Sequence, residues 1–276
     1  MQSYSGGLKV GVFVDVANIY LNGGSKWRAD VLRQYAHTRG VVLRLNAYVS
    51  YDADRARTDR EYGDRAREYH NVLRDMGYHT TVREVRWFFE PETSRRFGKA
   101  DVDLEIGIDL LLQSRNLDLV LLVTGDGDFV KAIQAVRDTG CRVEVIAFEN
   151  VSQALRREAD IYMSGFLIPE LLPTNRPGEE AWGEVGSTVR GVCYAHPPDE
   201  SYGFLSFLTR LSPNTWITDP RNADSPYRSV FFHDSTLPAD VNPRQLPSRH
   251  IIFEFEIGEA ERGLFAENLR VVSNRA

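Results

Sequence analysis

Residues Leu121–Val130 read "LLVTGDGDFV". They close a longer apolar run, "LDLVLLV" (117–123), which gives way within five residues to Asp126 and Asp128. An apolar run of that length, bounded by turn residues, has the pattern of a central parallel strand covered on both faces. Two carboxylates at the mouth of such a strand repel each other unless a cation stands between them. The stretch therefore sets the fold class, a parallel sheet, and raises the question of a metal ion.

The rest of the first part repeats the rhythm. Apolar or β-rich runs at 9–15, 41–51, 79–89, 117–123 and 141–148 alternate with helical spacing at 27–40, 57–77, 101–114 and 128–140, several of these stopped by glycine. A helix-like stretch, "SGFLIPELL" (164–172), follows. Alternation of this kind predicts an α/β fold, a doubly wound and mainly parallel sheet. The segment "PTNRPGEEAWGEVG" (173–186) is rich in proline, glycine and acid and reads as a linker. Beyond it, short β-like runs are separated by proline, asparagine and aspartate, the pattern of a second, small all-β barrel. The expected organisation is thus 1–172, a linker at 173–185, and 186–276.

The chain has 276 residues, long enough for two cores. Its start lacks the basic and apolar blocks of an export signal, and no apolar stretch reaches the roughly 18 residues that cross a bilayer. The two cysteines make neither a disulfide framework nor a zinc site. A cytoplasmic protein with no membrane partner is expected. The net charge of −6 argues against a general nucleic-acid binder, though not against an enzyme with a local basic patch.

In open α/β sheets ligands bind outside the carboxyl ends of the strands. Asp15 and Asp126 each follow such a strand, Asp128 opens the next helix, and Asp103 lies near the start of another. A lone Asp after a strand is most often a turn residue or a helix cap. Gathered in one cleft, several carboxylates suit Mg²⁺ or Mn²⁺, which prefer oxygen ligands. Asp109 follows Asp103 by six positions, about 9 Å further along a helix and rotated away, so direct chelation of one ion by both is not expected. A metal-activated water attacking phosphorus in line would follow from such a site, with Asn18 and Thr124 placed to orient it. Arg83, Arg86, Arg95, Arg96 and Lys99 could neutralise a nucleic-acid backbone, and Trp87, Phe88 or Phe89 could stack on a base; a solvated face and core aromatics are the plainer readings.

Four blocks, "FVDVANIY", "KADVDLEIGIDLL", "LLVTGDGDFVKAIQAVRDTGCRVEVIAF" and "VSQALRREAD", resemble the NYN domain, a branch of the PIN-like nuclease superfamily that includes LabA-type proteins. The resemblance runs over most of residues 8–172. It implies a metal-dependent ribonuclease, with Asp15, Asp103, Asp126 and Asp128 at the metal positions, Asn18 at the polar position of the first motif and Asp109 at the later acid of the helix motif. The chain departs from the family pattern at Ala100–Asp101, where Asp101 adds an acid.

Residues 186–272 resemble a cold-shock domain, a five-stranded barrel of the oligonucleotide-binding type. "STVRGVCY", "ESYGFLSF", "SVFFHDS" and "IIFEFEIGEAERGLFAENLRVV" carry that likeness. It implies RNA, single-stranded before duplex, as the partner, met by Arg190, Tyr202, Phe204, Phe231 and His233. The chain departs at Gly191–Val192, where aromatics are usual, at Asp234, and in a long loop at 208–228. The alternative to a nuclease is a non-catalytic RNA-binding or scaffold protein with a relic metal site. A phosphatase of the haloacid-dehalogenase type would need a second Asp two positions after Asp15, where Ala17 stands. A homodimer is left open.

Overall fold

The structure is a computed structural model that describes residues 7–90, 95–99, 102–175 and 180–274, with side chains described outside 89–101. The chain packs as two units. One holds the residues up to Ser25, Arg39–Ala147 and Val151–Met163; the other holds Lys26–Thr38, Phe148–Asn150 and the chain from Ser164 onward.

In chain order the elements up to the linker are β1 (Lys9–Asp15), α1 (Val16–Leu21), α2 (Ala29–Arg39), β2 (Val41–Tyr51), α3 (Ala53–Thr58), α4 (Arg60–Asp75), β3 (His79–Glu84), β4 (Arg86–Glu90), β5 (Arg95–Lys99), α5 (Val102–Gln113), β6 (Leu119–Val123), α6 (Val130–Asp138), β7 (Arg142–Ala147), α7 (Gln153–Glu158) and β8 (Ile161–Ser164). Six of the strands form one sheet in the order β3-β2-β1-β6-β7-β8. The pairs β3–β2, β2–β1, β1–β6 and β6–β7 are all parallel. On one face Phe13, Tyr48, Val120, Leu122, Val143 and Val145 pack against Val102, Ile106 and Leu110 of α5 and Ile133 and Val136 of α6. The strand order reverses between β1 and β6, which opens a crevice at their carboxyl ends. Helix α5 lies beside it.

Three expectations differ in detail. The β-rich run 79–89 divides: β3 stays in the sheet, whereas β4 leaves it to form a two-stranded hairpin with β5. The long helix at 57–77 becomes α3 and α4, because Asp59 turns extended and caps the second through the Tyr62 amide. The helix-like 164–172 is the end of β8 followed by a single 3-10 turn, since Pro169 has no N–H to give a helix.

The second unit contains β9 (Thr188–Ala195), β10 (Tyr202–Leu208), β11 (Tyr227–His233), β12 (Ser248–Ala260) and β13 (Gly263–Ser273), closed as a barrel in the order β10-β11-β13-β12-β9. All its pairs are antiparallel except β11–β13. Alternation decides the inside: Val189, Cys193, Leu205, Phe207, Val230, Phe232, Phe253, Phe255 and Ile257 fill the core. Gly191 is required where β9 crosses β10, since a Cβ there would lie 2.4 Å from the Ser206 carbonyl oxygen. Trp182, in the stretch read as a linker, packs on this core and donates its indole N–H to the Leu208 carbonyl at 2.7 Å. Among the described residues, no helix is long and apolar enough to cross a membrane.

Candidate active site

Asp15 ends β1 and is 3% exposed. It is the N-cap of α1: its Oδ1 accepts from the Asn18 amide at 3.0 Å, and its Oδ2 accepts from the Thr124 hydroxyl at 3.1 Å. Thr124 lies one residue beyond β6, so this second bond joins the two strands across the switch point. The same hydroxyl oxygen accepts from the Asp126 amide at 3.2 Å. Asn18 reaches the same loop from the other side, its Oδ1 accepting from the Gly125 amide at 2.8 Å. Asp126 in turn caps the following turn by accepting from the Asp128 amide at 3.0 Å. The loop is closed from behind by the chain before α7. Ser152 donates its amide to the Gly125 carbonyl at 2.9 Å, and a Cβ on Gly127 would lie 2.7 Å from the Ser152 hydroxyl oxygen. Glycine at 127 is therefore a packing requirement.

The electrostatics follow from this placement. Burial pushes the Asp15 carboxyl up from 3.8 to about 6; the nearby charges of Asp103 and Asp126 push the same way, against the two hydrogen bonds it accepts. Two further carboxyl groups, from α5 and the loop after β6, thus act on Asp15 at the crevice.

The comparisons with known proteins decide the family. The model of the NYN domain matches residues 9–168. The chain belongs to the NYN domain family. Members of that family are typically nucleases. Among curated proteins, the "Low amplitude and bright protein LabA" of Synechococcus elongatus is 26% identical over 161 residues, which cover 56% of this chain and 82% of the relative. A crystal structure of a Vibrio parahaemolyticus protein of unknown function is similar at a TM-score of 0.48 and 24% identity, covering 59% of this chain and 96% of the other.

Two further acids of the NYN domain border this cleft. Asp128 is exposed, and the bond it makes to Asp126 is through its backbone. Asp109 accepts from the Tyr48 hydroxyl at 2.7 Å. Tyr48 is fully buried and is the register partner of Asp15 on β2, so Asp109 is held beside the cleft by a strand neighbour. Burial and Asp109 both hold the Tyr48 hydroxyl far above its ordinary pKa, which keeps it a donor. Sequence reading missed Tyr48. Its signal was a tyrosine on the inward parity of a buried strand, which must find a polar partner. Thr124 is fully buried with its hydroxyl donated to Asp15, so it has no donor left for a water. Among the described residues, no three His, Cys, Asp or Glu side chains converge as a closed ligand set. Mg²⁺ does not need one: it is usually held by one or two carboxylates, several waters and the substrate phosphate. Asp15 with Asp126 or Asp103 fits that open kind of site.

On the hairpin, Arg86 is exposed, Trp87 is 39% exposed with its indole N–H donated to Asp52 at 3.2 Å, and Phe88 is 46% exposed. Arg83 is tied to Glu105 of α5. The side chains of Arg95, Arg96, Lys99 and Phe89 lie outside the described residues, as does Asp101.

The barrel carries a second candidate surface. Tyr202 and Phe204 on β10 and Phe231 on β11 point outward, with ring centroids 5.7–6.0 Å apart. Tyr194 of β9 joins them at 6.5 Å from Phe204 and bonds the Ser229 hydroxyl at 2.9 Å. It fills the aromatic place that the first strand was read to lack, two positions further along. His233 is exposed, its ring nitrogen engaged with Ser235. Asp234 is bonded to His196 at 2.8 Å, so its carboxylate is turned to a partner. Arg190 corrects the expectation of a phosphate contact. It points outward by parity but is only 4% exposed, roofed by residues 172–175. Its guanidinium donates to Glu254 at 2.9 Å and to the carbonyls of Leu172 and Pro173 at 3.2 and 2.6 Å. No face is left for a phosphate.

Proposed function

We propose that this NYN-domain chain is a metal-dependent ribonuclease, hydrolysing phosphodiester bonds of RNA, with Mg²⁺ or Mn²⁺ at the crevice between β1 and β6. The observation that carries the reading is the placement of Asp15: a carboxyl buried at the end of β1, raised to about 6 first by burial and further by the charges of Asp103 and Asp126. A protein that keeps such a cluster at the switch point gains from a cation there. When bound, a hard divalent ion would lower the pKa of a water and screen phosphate charge. Asp15 and Asp126, with Asp103 nearby in charge, are the groups that would hold it. Their own caps fix them in place, and the Asn18 amide NH₂ is positioned to donate to a water or a phosphate oxygen. Asp109, held by Tyr48, maintains the acidic character of the rim. Asp128 is offered as a late ligand, or as the residue whose amide orders Asp126.

RNA as substrate rests on the family and on the barrel. The order of the barrel strands, with one parallel pair between the third and the fifth, supports a cold-shock-like member of the oligonucleotide-binding barrels. Its outward aromatics, Tyr194, Tyr202, Phe204, Phe231 and His233, support stacking on single-stranded bases. The organisation we propose remains a nuclease domain over 1–172 and a barrel over 186–276.

The test is incubation of labelled single-stranded RNA with Mn²⁺ or EDTA, wild type against Asp126→Asn. Cutting that needs the metal and is lost in the variant supports the enzyme. Binding without cutting under all conditions means a relic site. Phosphate release from a small monoester with intact RNA means a phosphatase.

A further inference from the structure

The loop 209–226, between β10 and β11, is built rather than slack. The amide and the hydroxyl of Thr209 both donate to the Pro226 carbonyl at 2.9 Å and pin its neck. Ser212 and Thr215 are each 6% exposed. The Ile217 amide donates to the Asn214 carbonyl at 2.9 Å, and the Ile217 carbonyl accepts from the Ser225 hydroxyl at 2.8 Å. In the middle stands Trp216, 68% exposed. A buried residue precedes it and a bonded one follows it, so the backbone is fixed while the indole is presented to solvent. Intramolecular packing does not explain a large aromatic in that position.

The loop meets the barrel at a definite place. The Tyr227 hydroxyl donates to the Thr215 carbonyl at 3.0 Å. Tyr227 begins the outward row of β11, which runs Tyr227, Ser229, Phe231, His233 by alternation. Ser229 is bonded to Tyr194, and Phe231 packs with Tyr202 and Phe204. From Phe231 back to Tyr227 is roughly 13 Å along the strand. Trp216 therefore adjoins one end of a row whose other end is the aromatic cluster. Arg221 of the same loop, its side chain 88% exposed, is forked on Asp219.

We propose that Trp216 is a base-stacking group that prolongs the aromatic track of β10 and β11 into the loop, so that the barrel takes a longer single-stranded RNA than its strand face alone can span. This rests on the reading of the barrel as an RNA-binding face. The loop then serves recognition, and its length is the reason for its presence.

The test uses the full chain in EDTA, with anisotropy of labelled single-stranded oligouridine in a ladder of lengths, for wild type, Trp216→Ala, Trp216→Phe and Phe231→Ala. Thermal midpoints of the variants are measured alongside. Wild-type affinity rises with length. Trp216→Ala leaves the shortest binding oligomer unchanged and weakens the longest about 5- to 150-fold, the span of one stacked base. Trp216→Phe restores most of it, and Phe231→Ala weakens every length. If Trp216→Ala matches wild type at all lengths while Phe231→Ala is weak, the proposal falls and the barrel reading stands. An equal loss at every length, with or without a lowered midpoint, also overturns it. No binding by wild type at any length overturns both and leaves Trp216 as a protein-contact residue.

Discussion

Replacing Asp15 with Asn should stabilise the metal-free protein at neutral pH. Burial and two neighbouring carboxylates move the Asp15 carboxyl from 3.8 to about 6 in the fold. A raised acid binds its proton more tightly folded than unfolded. Its contribution to stability is therefore fully present below about pH 4 and is lost as pH rises to about 6. At about 1.4 kcal/mol per pKa unit, the ionised group burdens the fold by about 3 kcal/mol above that window. Asparagine removes the charge and keeps the acceptor for the Asn18 amide. It disturbs the bond from Thr124, worth about 1 kcal/mol, so the net gain is about 2 kcal/mol. For a unit of roughly 150 residues that is about 4–8 °C in midpoint. The assay is thermal melting of both proteins in EDTA at pH 7.5 and pH 4. The variant melts higher at pH 7.5, and the difference vanishes or reverses at pH 4. With Mn²⁺ in place of EDTA, the wild type rises toward the variant and the variant does not move, because the cation relieves only a charged site. A variant that melts lower than wild type at pH 7.5 by the same margin as at pH 4 would refute the reasoning, since the burden would then not be charge.

Asp126→Asn should leave the fold intact, because its cap to the Asp128 amide survives, while metal-dependent RNA cutting drops by more than the ~10–100-fold seen for changes one bond removed from a metal; single-turnover cleavage measures it. Glu254→Gln should destabilise the barrel by about 3–5 kcal/mol in urea unfolding, since buried Arg190 loses its charge partner and Arg270 loses its own. Burial holds the thiols of Cys141 and Cys193 up at about 11, so a thiol reagent at pH 8 should label neither in the folded protein and both in denaturant, read by mass. Tyr48→Phe should lower stability by about 1 kcal/mol and slow RNA cutting, while the metal-induced rise in midpoint is retained; loss of that rise would place Asp109 on the ion.

The sheet was legible because strands covered on both faces are continuous apolar runs, and "VGVFVD" and "LDLVLLV" leave little alternative. What the chain does not write down is which strands are neighbours. Tyr48 could be placed on β2 from its parity. That it stands level with Asp15, and so holds Asp109, depends on the register between two strands separated by two helices. Arg190 makes the same point from the other direction. Its parity is outward, as expected, but residues 172–175 cover it, and a cover is a tertiary fact. Tyr194 is not marked by the family pattern, which has its aromatics where Gly191 and Val192 stand, whereas alternation continues the outward face two residues on. The reading of 164–172 as helix gave weight to its leucines over Pro169, which decides the matter locally.

The two readings weighed for the acidic residues, helix cap or metal ligand, turn out not to compete. Asp15 caps α1 and Asp126 caps the turn after β6, as most aspartates beyond a strand do. A cap engages one or two of the roughly four lone-pair directions of a carboxylate and leaves the others open. It also fixes the rotamer, so a capped carboxylate needs little reorganisation to receive a cation. The doubly wound topology brings two such caps to the same point, since the ends of β1 and β6 are where helices begin on either side of the switch. Capping alone would lower the Asp15 carboxyl. Its raised value comes first from burial at the end of β1, with the charges of Asp103 and Asp126 adding to it. In the proposed metal site, such caps would hold the carboxylates in place before an ion arrives.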